Sequence, residues 1–165
     1  MSENNGWTDP SSQQRLAILR RTRTVAMVGA SANPARASNF VATYLLASTN
    51  YDVYFVNPNA TEILNRPVYG SLAELPVVPD LVDVFRRPAD LPQVLAEVLE
   101  TGASTLWLQF GLFDVAIAEK AEAAGLTVVM DRCLKIEHAR FHGGLHLAGF
   151  NTGVINSRRQ VMFPE

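Results

Sequence analysis

From residue 24 onward the chain alternates short apolar runs with longer stretches of helical spacing. The runs Thr24 to Val28, Val53 to Val56, Leu81 to Phe85, Thr105 to Gln109 and Leu126 to Met130 are nearly continuously hydrophobic, as strands must be when both faces of a parallel sheet are covered. Between them, Ser38 to Ala47 places apolar side chains at Phe40, Val41, Tyr44 and Leu45, and Leu91 to Thr101 places them at Val94, Leu95, Val98 and Leu99 before Gly102. A third such stretch, Asp114 to Ala124, stops at Gly125. Spacings of three and four residues mark one face of a helix, and a following glycine marks its end. This alternation predicts an α/β fold: a Rossmann-like three-layer sandwich, single-domain, around a parallel sheet of about five strands.

Two stretches depart from the pattern. Asn59 to Pro79 is interrupted by Pro67, Gly70, Pro76 and Pro79 and offers only the capping-box signature Ser71-Leu72-Ala73-Glu74, which predicts an irregular crossover with one short helical turn. Ahead of the first strand, Asp9-Pro10 reads as the cap and first position of a helix that docks Leu16, Ile18 and Leu19. The expected organisation is therefore an N-terminal extension and packing helix over 1–22, the sheet domain over 23–140 and a C-terminal tail over 141–165, with residues 1 to 8 loose.

Composition narrows what the domain can hold. With 165 residues, 48% hydrophobic content and a net charge of -2, the chain has a sizeable core but no global field to retain a polyanion such as nucleic acid. An anionic ligand must be held by local groups. The single cysteine, Cys133, excludes an internal disulfide framework and a cysteine-rich zinc cage and fits a reducing compartment. No apolar run approaches the roughly 18 residues of a spanning helix, and the opening MSENNGWTDP lacks the order of a signal peptide. A cytoplasmic protein without a membrane segment is expected.

In an open parallel sheet, ligands bind beyond the carboxyl ends of the strands. After the first strand comes Gly29-Ala30-Ser31-Ala32-Asn33-Pro34, which keeps only the first glycine of a G-x-G-x-x-G fingerprint. Ala30 and Ser31 are still small enough for a phosphate to approach the backbone, the Ser31 and Ser38 hydroxyls are donors, and Arg36 adds a charge. An ordinary close-packed turn would also use small residues. The second strand ends in Asn57-Pro58-Asn59, where an NAD enzyme carries an acid for the ribose hydroxyls; the amide does not repel a ribose phosphate, and Asn-Pro is equally a good turn. The third ends in Phe85-Arg86-Arg87-Pro88, two planar guanidiniums suited to phosphate beside a ring suited to adenine, or else a solvated pair. Gln109 and Gly111 follow the fourth, a donor-acceptor amide and an open backbone that suit an amide-containing ligand. The fifth ends in Asp131-Arg132-Cys133, where Asp131 and Arg132 also read as a structural ion pair.

Together VGAS with Pro34 and Arg36, VNPN, VDVFRRP, WLQFG and VVMDRCLKIEH resemble the stand-alone CoA-binding domain family, whose fold is similar to the nucleotide-binding domain of the succinyl-CoA synthetase alpha subunit. The resemblance spans about residues 23 to 140. It implies that coenzyme A or an acyl-CoA lies across the carboxyl edge, with Gly29, Ala30, Ser31 and Arg36 at the phosphates, Asn57 and Pro58 bordering the nucleotide, Phe85 and Arg86 at the adenosine end, and Gln109 and Gly111 along the remaining path. In the synthetase a second domain presents a phosphorylated histidine, whereas this sequence is expected to fold as one domain, so the resemblance does not by itself imply ligation; a carrier, sensor or accessory module is expected.

Other chemistry is sparse. His138 and His142 share a helix face if the helix runs through both, but Gly143-Gly144 stops it before His146 and no third ligand is evident; no metal is expected. Cys133 reads either as a buried small residue or as a rim thiol able to form a mixed disulfide with CoA. Asp131 and Glu137 are the available acids. The rival reading is an enzyme using acyl-CoA or NADP, its catalytic groups supplied by the tail or by a partner chain; a third treats the sheet edge as a surface for a protein partner or a second copy.

Overall fold

A computed structural model of the chain describes residues 7–142. Its elements run α1 (Ser12–Arg21), β1 (Thr24–Val28), α2 (Ala37–Ser48), β2 (Asp52–Val56), β3 (Glu62–Ile63), β4 (Arg66–Tyr69), β5 (Leu81–Val84), α3 (Leu91–Leu99), β6 (Thr105–Leu108), α4 (Val115–Ala123), β7 (Thr127–Val129) and α5 (Leu134–His142). Single 3₁₀ turns occupy Leu72–Glu74 and Pro88–Asp90. The sheet order is β3-β4-β2-β1-β5-β6-β7, and every pairing is parallel except β3 with β4. The expected α/β fold is present, with two short strands added at one edge.

Strand residues alternate between two cores. Ala26, Val28, Val82, Val84, Leu106 and Leu108 pack under α3 and α4, whereas Val25, Met27, Phe55, Trp107 and Val129 pack against α1, α2 and α5. Both cores are filled by side chains almost wholly out of water, which is why the central strands carry no alternating polar positions. The exception is Asp83, fully buried in β5 between Met27 and Trp107 in register. Neither of its carboxyl oxygens meets a hydrogen-bond partner among the described residues. Burial pushes its pKa well above the ordinary carboxylate range, favouring the neutral acid.

The added edge explains the irregular crossover. Leu64 and Asn65 both have positive φ, 50° and 64°, which closes a two-residue hairpin turn between β3 and β4. β4 then pairs with β2 through Phe55–Val68 and Val56–Tyr69. Pro67 lies ahead of the two residues through which β4 pairs with β2 and faces only the two-residue strand β3, near the start of its own strand.

At the amino end, the expected cap at Asp9-Pro10 is replaced by Ser11. Its hydroxyl accepts the Gln14 amide at 3.1 Å and its own amide donates to Gln14 Oε1 at 2.7 Å, a reciprocal box. Asp9 instead pairs with Arg132 at 2.7 Å. Ile18 and Leu19 are buried as expected and Arg15 joins them, whereas Leu16 is only half-buried and lies outside both cores. Trp7, which falls in the segment expected to be loose, is anchored by its indole N–H, which donates to the Val128 carbonyl at 3.0 Å. The expectations for residues 1–6 and for the tail from residue 143 onward, His146 included, lie outside the described residues.

Candidate functional site

The order of strands reverses at β1: the chain leaves β1 for β2 on one side and later returns to β5 on the other. Helices therefore splay away from the carboxyl end of β1, and a crevice must open there. Its floor is fixed by amides that step from strand to strand. The Gly29 N–H donates to the last carbonyl of β2 (Val56, 2.9 Å), Phe85 to the last of β1 (Val28, 2.8 Å), Gln109 to the last of β5 (Val84, 3.4 Å) and Arg132 to the last of β6 (Leu108, 3.4 Å).

A cleft of about 550 Å³ stands on this floor. The turn after β1 supplies Gly29 and Ser31, the start of α2 supplies Arg36, Ala37 and Ser38, and the loop after β2 supplies Asn57, Pro58 and Asn59. Phe85, Arg86, Arg87 and Asp90 close the β5 side, and Gln109 reaches in from β6. Gly29 has φ +87°, and a Cβ there would overlap the Phe85 carbonyl oxygen and lie 3.0 Å from Arg86 Cδ. The two loops at the switch point touch through this residue.

Side-chain hydrogen bonds shape the first loop without filling the cleft. Ser38 Oγ accepts the Ser31 amide (3.1 Å), Ser31 Oγ accepts the Asn33 amide (3.0 Å), and Asn33 Oδ1 accepts the Ala35 amide (2.9 Å). The Ser31 N–H is thus engaged, while both hydroxyls keep a proton to donate. Asn57 Nδ2 donates to the Ala30 carbonyl at 2.7 Å and its Oδ1 accepts the Asn59 amide at 2.8 Å, so the amide after β2 ties two loops together. Helix α2 begins at Arg36 with no side-chain cap. Its first-turn amides and the positive end of its dipole face the cleft that Ala37 and Ser38 line, a natural seat for an anion.

The cleft also carries a carboxylate. Asp90 meets Arg86 at 3.2 Å and Arg87 at 3.3 Å. The Arg87 hydrogen bond first, and then the charges of Arg86 and Arg87, lower its pKa. Asp90 was not among the candidates, although its position four residues after Arg86 across a proline-started turn is the spacing at which an acid meets an arginine. Asn59 and Ala37 are likewise additional lining residues.

Three candidates lie elsewhere. Ala30 is buried at 1% exposure beneath the loop and contributes only its carbonyl. Gly111 stands two residues beyond Gln109, where its amide donates to Asp131 Oδ1 at 2.8 Å. Cys133 is half-buried against the core under α5 and does not line the cleft. The expected ion pair between Asp131 and Arg132 does not form among the described residues: Asp131, with φ 61°, accepts the Gly111 amide, while Arg132 pairs with Asp9 at 2.7 Å and approaches Glu137 at 3.8 Å.

His138 and His142 do share a face of α5, stacked at 4.2 Å. His138 Nδ1 hydrogen-bonds the Tyr44 hydroxyl at 2.8 Å, and its ring packs edge-on to Tyr44 and Tyr51. Burial, and secondarily the charge of His142, push His138 down to about 4; burial raises both tyrosines to about 12. Because the unfolded chain takes up a proton near pH 6.5 that the folded chain refuses until about 4, this histidine's contribution is intact above pH 6.5 and is lost as pH falls through that window. Urea unfolding at pH 7.5 and 4.5 is expected to show the wild-type chain losing about 2 kcal/mol more than His138→Gln. Equal losses in the two proteins would count against this linkage.

The family described as CoA binding domain matches residues 23–139. Among curated proteins, YneT of Bacillus subtilis (strain 168) is 37% identical over 131 residues, covering 79% of this chain and 96% of that protein. A solved structure of a hypothetical protein from Pyrococcus horikoshii OT3 superposes with a TM-score of 0.78 at 35% identity, covering 87% of this chain and all of that one. The cell-free ID.343 protein of Thermus thermophilus does so with a TM-score of 0.75 at 35% identity over 79% of this chain and 98% of that one. The family match spans the sheet and every loop of its carboxyl edge: the chain belongs to the CoA-binding domain family.

Proposed function

We propose that the protein binds coenzyme A in the switch-point cleft, as a carrier, sensor or accessory module. One observation supports this above the others. In a chain of net charge -2, Arg36, Arg86 and Arg87 converge with an uncapped helix start and the Gly29 turn on a single cleft. That collection suits a pyrophosphate together with a ribose phosphate. Asn57, standing where an acid would receive unmodified ribose hydroxyls, suits a phosphorylated ribose, and the Phe85 ring and Gln109 amide match the adenine and the amides of the pantetheine arm. Acyl-CoA forms and a cytoplasmic setting, consistent with the lone cysteine, belong to the same proposal. Among the described residues no helix is long and apolar enough to cross a membrane.

Calorimetric titration of the purified chain with CoA, acetyl-CoA, dephospho-CoA, NAD and NADP tests it. CoA should bind, dephospho-CoA more weakly, and Arg86→Ala should lower CoA affinity about tenfold, the loss of one charge-assisted contact. Binding of NADP without any CoA species would transfer the site to the dinucleotide reading.

A further inference from the structure

The loop after β6 carries a feature that CoA alone does not use. Gln109 lines the cleft, and the next residue, Phe110, is 70% exposed; Phe113, three further on, is 57% exposed. The backbone between them is held. Leu112 N–H donates to the Gln109 carbonyl at 2.9 Å to close a turn, Gly111 adopts the φ of +97° that the turn requires, and its amide is pinned to Asp131. Leu112 is buried, and Phe113 packs edge-on against Trp7 at 5.6 Å, itself anchored to Val128. Among the described residues, a Cβ added at Gly111 would meet nothing within 4 Å. Phe110 is thus held out in water beside Gln109, the cleft-lining residue farthest along the sheet from Asn57, and Phe113, packed on Trp7, still exposes more than half its surface; neither ring lines the cleft itself.

We infer that this turn seats an apolar acyl group joined to the ligand's sulfur, so that the protein prefers medium-chain acyl-CoA thioesters to free CoA. The inference rests on the CoA reading. The cationic groups lie at β1 and β5, and Gln109 is the lining residue that β6 contributes. With the phosphates held at the cations, the arm that runs out past Gln109 delivers its uncharged end to Phe110. Apolar surface leaving water on both partners then adds affinity with each methylene.

The test titrates the full chain with CoA, acetyl-CoA, butyryl-CoA and octanoyl-CoA, with wild type and Phe110→Ser in parallel and sedimentation of both across a concentration series. Octanoyl-CoA should bind about tenfold more tightly than CoA, and Phe110→Ser should flatten the series toward the affinity of CoA itself. Affinity that is flat with chain length, or a series that survives Phe110→Ser, overturns the acyl seat and leaves the CoA reading standing. Absence of binding by every CoA species overturns both. Self-association that Phe110→Ser abolishes, with no chain-length dependence, assigns the face to a second copy and also rejects the inference.

Discussion

Gly29→Ala is expected to destabilise the protein by about 3 kcal/mol or more and to remove CoA binding from whatever fraction remains folded. At φ +87° an alanine already strains the backbone, and its Cβ is driven into the Phe85 carbonyl. Side chains that clash can rotate, but this neighbour is backbone, and it is fixed by the Phe85 amide donating to Val28 at 2.8 Å. Relief requires the β1 and β5 loops to part, which separates the amide of Gly29 from Val56 and moves Arg86 away from the helix start. Urea denaturation and calorimetry on one preparation would check both halves. A variant of wild-type stability would show that the loops move freely and that the cleft is not preorganised by this contact. Ala30→Gly, in the same turn but without positive φ, gives the control for a general loss of loop stiffness.

The second large effect is remote from the cleft. Glu137, 2% exposed on α5, receives Arg15 of α1 at 2.7 Å and Arg140 at 3.1 Å, and Arg15 is itself 7% exposed. Replacing Glu137 by leucine leaves the Arg15 guanidinium buried, with the Pro10 carbonyl at 2.6 Å as its remaining acceptor. A cost of about 3 kcal/mol is expected, in keeping with breaking one side of a buried pair. The same argument requires that Arg15→Met in the Glu137→Leu background restore part of the loss, because the stranded charge disappears with its partner. Equilibrium unfolding of the two single variants and the double variant measures this. If the double variant is the sum of the two singles, the pair is not coupled and the docking of α5 rests on Leu134 and the aromatic contacts of His138.

Strands buried on both faces could be read directly, since runs such as Thr24 to Val28 and Thr105 to Gln109, the latter ending one residue earlier in the structure, have one physical explanation in a chain this short of long apolar segments. The hairpin of β3 and β4 could not, because Pro67 argued against a strand and two- and four-residue strands are too short to show a period. The cap of α1 stands at Ser11, two residues beyond the Asp9-Pro10 signal, because Gln14 at the third helical position completes its reciprocal box. The cleft was legible wherever strand end and loop coincide, at Gly29, Ser31, Asn57, Phe85 and Gln109. It was less so where a side chain comes from within a helix or turn, as with Asp90, or where a residue near a strand end turns its side chain into the core, as with Cys133.

The stepped amides beneath the cleft have a consequence for how such a protein can diverge. Each loop on the rim departs from a point clamped to its neighbour's last carbonyl, so where it starts is set by the backbone of the sheet. Beyond the clamp the loops are tied to one another in two blocks: Asn57 on the Ala30 carbonyl and Gly29 against Phe85 join the loops after β2, β1 and β5, while Gly111 on Asp131 joins those after β6 and β7. Recognition on such a rim is rewritten block by block, each block changing as a unit while the sheet that carries it stays the same.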